Sequence, residues 1–300
     1  MYTGFGTILT AAITPFAADG TVDHDELRRI LRHLESTGSD GVVIAGTTGE
    51  SPTLSDEEKL ACFRTAVDEL GGRVSVLAGT GSNDTRHAVW LTRQAVELGV
   101  DGVLVVSPYY NNPPRDGLVQ HFSAVARAAG DTPVMLYNVP ARSVVNLEPE
   151  LIAELATIPN VVALKQANPE LRELREVRGL APDLAIYAGN DTSLLPMLAE
   201  GAIGVVGVAT HLVGTQMKQV VDLWRSGQEA EARELTASLD DVYETINGLT
   251  TNPIPVKAAM HLLGFESAQT LRLPLVEATG MQRERIQAML ERNELIGMHV

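Results

Sequence analysis

Lys165 is the side chain with the clearest potential for chemistry, because it directly follows four apolar residues, 161–164. An apolar run without alternation is typical of a strand that is covered on both faces. The other three lysines, Lys59, Lys218 and Lys257, lie in polar or helix-like surroundings, so Lys165 is expected to be the unusual one. An ammonium group enclosed by apolar residues loses hydration, and the neutral amine can attack a ketone to form a Schiff base. The alternative is a lysine that extends to solvent from the strand end or pairs with an acid.

Polar side chains also follow other apolar, β-prone runs of the sequence, among them residues 107–111 and 189–191. Residues 46–51 offer two threonine hydroxyls and a turn whose amides can bind a carboxylate, although an ordinary helix N-terminal turn fits equally well. Tyr137 can transfer a proton between a carbinolamine oxygen and the substrate, or it is a core tyrosine with a satisfied hydroxyl. Arg142 can bind a carboxylate through two hydrogen bonds, or it is a solvated loop arginine.

Other chemistries lack the residues that they require. Residues 79–84 begin like a dinucleotide-binding loop, but the third glycine is missing and no phosphate-binding lysine follows. The seven histidines show no paired metal-ligand spacing, and no Gly-x-Ser-x-Gly motif occurs. The Asp-His-Asp triplet at residues 23–25 could be a metal cluster, but an N-cap with first-turn acids explains it better. We therefore predict an enzyme that acts through a lysine imine and uses neither a metal nor a cofactor.

These residues require a scaffold that brings strand ends together, and the order of the predicted elements indicates one. Apolar runs of strand length alternate with helical spacing in eight units, at intervals of roughly 20 to 35 residues. The pattern favours the α/β class and a (β/α)8 TIM barrel, with an open doubly wound sheet as the alternative. In such a barrel the active site forms where the strands end. The predicted strands are residues 6–14, 41–45, 74–78, 102–106, 133–138, 161–165, 184–188 and 204–208.

No further strand is predicted after residue 225. Residues 228–247 have apolar residues on one helical face and are expected to form a single helix. Two more helices are expected over residues 255–263 and 282–294, the first beginning at a proline and ending before a glycine. The predicted organisation is a (β/α)8 barrel catalytic domain, residues 1–225, followed by a C-terminal helical extension, residues 226–300.

The composition excludes several classes of protein. The 300 residues are 45% hydrophobic, which is enough for a large core, and 23 basic against 38 acidic residues give a net charge of −15. Such a charge repels phosphate backbones, so no nucleic acid is expected as a partner. One cysteine, Cys62, indicates a reducing compartment, and no apolar run is long enough for a membrane span. The expected location is the cytoplasm, without contact to a membrane.

Several motifs together resemble one known family. In chain order they are Gly46-Thr47-Thr48-Gly49-Glu50, Ser107-Pro108-Tyr109-Tyr110-Asn111, Tyr137-Asn138-Val139-Pro140-Ala141-Arg142, Lys165, Asn252-Pro253-Ile254-Pro255-Val256-Lys257 and Leu271-Arg272-Leu273-Pro274. Over nearly its full length the chain resembles the dihydrodipicolinate synthase family of the pyruvate-dependent class I aldolases, which include N-acetylneuraminate lyase. The resemblance implies 4-hydroxy-tetrahydrodipicolinate synthase activity, in which pyruvate condenses with L-aspartate 4-semialdehyde during lysine and diaminopimelate biosynthesis.

The resemblance also implies which residues act on the substrate. Lys165 would form the Schiff base with pyruvate. Thr47, Tyr137 and Tyr110 would form a proton relay, with Tyr110 reaching in from a neighbouring subunit. This arrangement agrees with imine chemistry, because the protonated imine withdraws electrons and lets the pyruvate methyl group lose a proton.

Binding residues and the assembly follow from the same resemblance. Thr48 and nearby amides would hold the pyruvate carboxylate, and Arg142 would bind the carboxylate of the semialdehyde. Gly189 and Val206 match positions that line the pyruvate pocket. The implied assembly is a homotetramer made of two tight dimers.

Two alternatives to this function remain at the level of sequence. The first is another pyruvate lyase that acts on N-acetylneuraminate or a 2-keto-3-deoxy sugar acid. Arg142 favours an acceptor that carries a carboxylate, and so favours the synthase. The second is a non-catalytic barrel that binds a small acid or a partner protein. The combination of a lysine, a tyrosine and a threonine at strand ends argues against it.

Overall fold

Eight parallel strands form a closed barrel in which each strand pairs with the next and β8 pairs with β1. The computed structural model describes residue 2 and residues 4–296. The predicted (β/α)8 barrel is confirmed, and the doubly wound alternative is wrong because the sheet has no open edges. The strands are β1 Ile8–Ala11, β2 Gly41–Ile44, β3 Ser75–Gly79, β4 Gly102–Val106, β5 Val134–Asn138, β6 Val161–Gln166, β7 Ala185–Ala188 and β8 Gly204–Gly207.

Side chains alternate between the inside of the barrel and the surrounding helices, as the two-residue period of a strand requires. The outward-facing cluster includes Ile8, Val42, Val76, Val103, Val134, Leu164, Ile186 and Val205. The inward-facing cluster includes Leu9, Val43, Leu77, Leu104, Met135, Ala163, Ala185 and Val206. The same alternation turns Tyr137 and Lys165 inward, two residues beyond Met135 and Ala163 on adjacent strands.

Helices surround the barrel, and side chains cap the N-termini of four of the described helices. The helices are α1 His24–Ser36, α2 Asp56–Leu70, α3 Thr85–Glu97, α4 Arg115–Ala129, α5 Pro140–Ser143, α6 Pro149–Leu155, α7 Leu171–Leu180, α8 Leu194–Ala199, α9 Thr210–Arg225, α10 Glu229–Ser238, α11 Asp240–Gly248, α12 Ile254–Leu262 and α13 Gly280–Arg292. Asp23 caps α1 by accepting a hydrogen bond from the amide of Glu26, which confirms the predicted cap. His24 instead bonds Thr65, so the side chains of the Asp-His-Asp triplet diverge.

The chain after β8 is helical, as expected, but its first predicted helix is divided. α10 ends at Ser238 and α11 begins at Asp240, so the single helix predicted over residues 228–247 is wrong. The apolar face continues through the break, which is why periodicity alone did not reveal it. Residues 297–300 of the predicted extension lie outside the described residues. None of the described helices has the length and apolarity needed to cross a membrane.

Two buried histidines make the fold sensitive to acid. His211 donates from Nδ1 to the carbonyl of Val208 and accepts the amide of Ile13 at Nε2, so the fold requires the neutral ring. His121 bonds Thr85 through Nδ1, while its Nε2 is buried without a partner among the described residues. Burial lowers the pKa of each ring to about 4.

We expect the free energy of unfolding to fall as the pH drops from about 6.5 to about 4. In this range the two histidines are protonated in the unfolded chain but stay neutral in the folded protein. Each histidine contributes about 3 kcal/mol to this loss. Urea titrations at fixed protein concentration and several pH values will measure it, with His121→Gln as the comparison. The explanation fails if His121→Gln unfolds with the same pH dependence as the unsubstituted protein.

Candidate active site

A cavity of about 370 Å³ lies at the carboxyl ends of the strands, where the barrel fold places its active sites. Its wall combines residues at the carboxyl ends of five strands with residues from the end of α11 and from the segment between α11 and α12. The lining residues are Thr47, Thr48, Tyr137, Val139, Arg142, Lys165, Gly189, Asn190, Asp191, Val208, Asn247, Gly248, Thr250, Thr251 and Asn252. Six of the eight residues predicted for the site therefore share one cavity.

Lys165 lines this cavity with a side chain that is only 5% exposed. Tyr137 is its register partner on β5, and Lys165 Nζ lies 4.4 Å from the centre of the Tyr137 ring. Within the described part of the chain, Nζ makes no hydrogen bond and no ion pair. The expected alternatives of a solvent-extended lysine or an acid-paired lysine do not describe this geometry. The amine is held beside an aromatic face with its nitrogen available to a bound molecule.

Lys257 corrects the expectation that Lys165 is the unusual lysine. Lys257 is 0% exposed, and Nζ donates to Glu50 Oε1 at 2.6 Å, to the carbonyl of Thr14 at 2.9 Å and to the carbonyl of Thr270. Burial lowers the pKa of Lys257 to about 8, opposed by the charge of Glu50. The helical pattern around Lys257 gave no sign of this, because its acceptors are distant in the sequence. The two buried lysines thus differ: Lys257 has three acceptors, and Lys165 has none among the described residues.

The turn after β2 presents groups suited to a carboxylate. Thr48 Oγ1 accepts a hydrogen bond of 2.9 Å from Asn252 Nδ2, so the Thr48 hydroxyl proton can be donated elsewhere. The amides of Thr48 and Gly49 donate to no other group that the structure describes. Thr47, with a hydroxyl that also lines the cavity, lies directly before them. Free amides beside a hydroxyl form a typical anion-binding surface.

Arg142 and Gly189 also line this cavity. The guanidinium of Arg142, in the short helix α5, is exposed and pairs with no carboxylate among residues 4–296. It also lines an adjoining cavity of about 230 Å³ together with Tyr109 and Tyr137. Gly189 has no room for a side chain, since a Cβ there would lie 2.7 Å from Cβ of Ala167. A glycine at this position therefore lets the chain after β7 pack directly against Ala167.

Two of the predicted residues lie elsewhere. Val206 is fully buried in the packing layer inside the barrel and is not among the residues that line this cavity, so its place in the pyruvate pocket stays a prediction. Val208, one strand period further toward the carboxyl ends, occupies that wall instead. Tyr110 is 89% exposed and lines neither cavity of its own chain.

Asp191 is a buried carboxylate at the cavity that joins three segments of the fold. It accepts hydrogen bonds from the amides of Val208 and Ala209 and from the side chain of Asn247. Burial raises the pKa of Asp191, while these hydrogen bonds and the nearby charge of Lys165 act in the opposite direction. Gly207 leaves space for this carboxylate, since a Cβ there would lie 2.3 Å from Asp191 Oδ1.

The contribution of residues 247–252 to the wall was not predicted, because the C-terminal helices were expected only to pack on the barrel. A signal was present in the sequence. Residues 250–252, Thr-Thr-Asn, are polar and lie before a proline, between two predicted helices. A loop that only connects two helices does not need three hydrogen-bonding side chains in a row.

Comparison with known proteins supports a single family. The sequence profile described as the dihydrodipicolinate synthetase family matches residues 4–293. A 4-hydroxy-tetrahydrodipicolinate synthase from Desulforudis audaxviator is 48% identical over 299 residues, covering 99% of this chain and 100% of that protein. One from Synechococcus elongatus is 50% identical over 287 residues, covering 95% of both chains.

Solved structures agree with the sequence relatives. The crystal structure of a dihydrodipicolinate synthase from Bacillus anthracis matches with a TM-score of 0.92 and 40% identity, covering 96% of this chain and 98% of that one. The likeness includes the barrel and the C-terminal helices that complete the cavity. The chain therefore belongs to the dihydrodipicolinate synthetase family.

Proposed function

We propose that this chain catalyses the 4-hydroxy-tetrahydrodipicolinate synthase reaction, the condensation of pyruvate with L-aspartate 4-semialdehyde in lysine and diaminopimelate biosynthesis. The observation that carries the proposal is the position of Lys165, whose amine has no hydrogen-bond acceptor within the described chain and lines a cavity with Tyr137 and Thr47. Relatives that are 48% and 50% identical over nearly the whole chain bear the name of this activity. The proposed place of the reaction is the cytoplasm, in keeping with the single cysteine.

The first step is capture of pyruvate by Lys165. The neutral amine attacks the ketone carbon, and the resulting carbinolamine loses its hydroxyl group as water to leave a protonated imine. Tyr137 can donate the proton that this water requires, with Thr47 relaying it onward. The positive imine then withdraws electrons from the pyruvate methyl group, which loses a proton and becomes an enamine carbon.

The second step forms the carbon–carbon bond. The enamine carbon attacks the aldehyde carbon of the semialdehyde, and the aldehyde oxygen takes up a proton as it becomes a hydroxyl. The amino group of the semialdehyde then attacks the imine carbon, which closes the ring and releases the Lys165 amine. Every electron pair is supplied by the two substrates and Lys165, so the sequence balances without a redox reagent.

Two separate groups of residues hold the two carboxylates. Thr48 and the free amides of the turn after β2 are placed to bind the carboxylate of pyruvate, close to Lys165. Arg142 pairs with no carboxylate among the described residues and lines the cavity, where a carboxylate of the semialdehyde can form two parallel hydrogen bonds with its guanidinium. This division gives each of the two acids its own binding group in one cavity.

The proposal is tested in two stages. Borohydride reduction in the presence of pyruvate, followed by peptide mass spectrometry, should show a reduced pyruvate adduct on Lys165. A coupled assay should then show condensation with L-aspartate 4-semialdehyde and little turnover with a panel of sugar aldehydes. Absence of the adduct would refute the imine mechanism, whereas an adduct combined with a preference for sugar aldehydes would refute the acceptor.

The proposed assembly is a homotetramer of two tight dimers in which Tyr110 enters the site of a neighbouring subunit. Its support in this chain is that the side chain of Tyr110 is 89% exposed on the loop after β4 and is therefore free to reach another subunit. The adjoining cavity lined by Tyr109 and Arg142 offers space for such a side chain.

We expect Tyr110→Phe to slow turnover by about tenfold or more, because a relay hydroxyl is lost. Mixing Tyr110→Phe subunits with inactive Lys165→Ala subunits should restore activity, since a mixed dimer contains one site with both Lys165 and the partner's tyrosine hydroxyl. Tyr2→Phe, far from the cavity, serves as the control. Wild-type kinetics in Tyr110→Phe, or no recovery on mixing, would exclude a relay between subunits.

A further inference from the structure

We propose that the buried ion pair between Glu50 and Lys257 is a positioning device, through which the C-terminal helices hold Thr47 and Thr48 in the orientation that binds the pyruvate carboxylate. This inference rests on the proposed function of the cavity. Neither residue lines the cavity, so both are positioning residues that act through the turn after β2.

The pair is isolated from water on both sides. Glu50 is 2% exposed and Lys257 is 0% exposed, and their charged atoms lie 2.6 Å apart. Lys257 Nζ also lies 4.5 Å from the centre of the Phe16 ring. Removing two charges from water is costly, and such a pair is often no more stabilising than apolar residues of the same shape. A role in fixing geometry accounts for it better than a role in stability.

The backbone of the turn shows what the pair holds in place. Glu50 has a φ of 54°, in the left-handed region that a non-glycine residue adopts only when its surroundings impose it. The preceding Gly49 is enclosed, since a Cβ there would lie 3.0 Å from the carbonyl oxygen of Ala12. Thr14 donates its hydroxyl to the carbonyl of Gly49 and accepts Lys257 Nζ at its own carbonyl. Lys257 therefore bonds both the side chain at the end of the turn and the segment after β1 that supports the turn.

Arg272, also from the C-terminal region, bonds the second carboxylate oxygen of Glu50. The amide of Arg272 donates to Glu50 Oε2 at 3.1 Å, so both oxygens of Glu50 are held by residues beyond the barrel. The Arg272 guanidinium stacks 4.4 Å from the centre of the Phe16 ring and donates to Glu58 and to the carbonyls of Gly20 and Thr53. Thr53 lies in the 3₁₀ turn that follows Glu50, which extends the restraint past the end of the turn.

Asn252 connects the same C-terminal segment directly to the binding group. It lies five residues before Lys257 and donates from Nδ2 to Thr48 Oγ1. The turn is thus held at two points: Asn252 bonds Thr48 in the cavity wall, and Lys257 bonds Glu50 outside the cavity. A shift of the turn relative to these two anchors would move the Thr48 hydroxyl and the free amides away from Lys165.

The test compares Glu50→Gln, Lys257→Met and the double variant Glu50→Gln/Lys257→Met, which removes both charges and so avoids an unpaired buried ion. Borohydride trapping at increasing pyruvate concentrations gives the half-saturating concentration for adduct formation. We expect it to rise about tenfold or more in the double variant, as displacement of a binding group predicts. Hydrogen exchange of the peptide spanning residues 46–54 should accelerate in the same variant.

Lys218→Met is the matched control, because Lys218 pairs with Asp40 on the barrel away from the cavity. It should lower thermal stability but leave both the half-saturating concentration and the exchange of residues 46–54 unchanged. The inference is overturned if the double variant matches Lys218→Met in both measurements. If the unsubstituted protein forms no adduct, the proposed function fails, and the exchange measurement still decides whether the pair fixes the turn.

Discussion

Replacing Lys165 with alanine is expected to abolish the pyruvate adduct and to reduce turnover by about 10⁴-fold or more, as loss of a covalent nucleophile does in other enzymes. The fold should survive, because Lys165 forms no hydrogen bond or ion pair with the described residues that the substitution would leave unsatisfied. Turnover in the coupled assay and the mass of the borohydride-treated protein measure the effect. Circular dichroism and thermal unfolding verify the fold.

Lys59→Ala provides the control for this substitution, since Lys59 is also partly buried but lies on α2 away from the cavity. Its adduct formation and turnover should equal those of the unsubstituted protein. Persistence of a pyruvate adduct in Lys165→Ala, or turnover within tenfold of normal, would place the imine on another amine. Lys257 would then be examined next, because it is the other fully enclosed lysine.

Tyr137→Phe is expected to lower kcat by about 10²-fold to 10³-fold, the usual contribution of a positioned proton donor. The phenylalanine ring keeps the aromatic face that lies 4.4 Å from Lys165 Nζ, so the substitution removes the hydroxyl alone. Adduct formation should become slow, while the pyruvate concentration that half-saturates it changes little. Borohydride trapping after short reaction times, at several pyruvate concentrations, separates the rate of adduct formation from the half-saturating concentration.

Tyr187→Phe is a matched control, because Tyr187 is the register partner of Lys165 on β7, opposite Tyr137 on β5. The Tyr187 hydroxyl donates to the carbonyl of Gly6, at the other end of the barrel from the cavity. Its loss should reduce stability without changing kcat. A Tyr137→Phe enzyme that keeps normal kcat, or a Tyr187→Phe enzyme that loses it equally, would contradict the assignment of the proton transfer to Tyr137.

Local pattern was sufficient to predict the barrel and most of the cavity wall. An apolar run that ends in a polar residue, such as Lys165 or Tyr137, predicts both the strand and the side chain that faces the inside of the barrel. In a closed parallel barrel all such ends meet at one rim, so residues far apart in the chain could be grouped without knowledge of their distances. The predicted strand bounds agree with the observed ones to within one residue, as frayed ends allow, except for the first strand, which was predicted over residues 6–14 and spans only Ile8–Ala11.

The features that were missed depend on contacts between distant residues. Val208 lies just past the end of β8 and lines the cavity, and nothing in the apolar run of that strand marks this role. The acceptors of Lys257 are Glu50, Thr14 and Thr270, and no spacing along the helix reveals them. The break at Leu239 lies within a continuous apolar face, so helical periodicity could not locate it.

The turn after β2 and the segment before α12 come together in one wall although about two hundred residues separate them, and this has a consequence for synthesis of the protein. A chain emerging from the ribosome can close its barrel strands before residues 252–272 are available. During that interval Lys165 is present, but the carboxylate-binding groups lack their support. The nascent chain is therefore expected to become competent for catalysis only when its last quarter has been released.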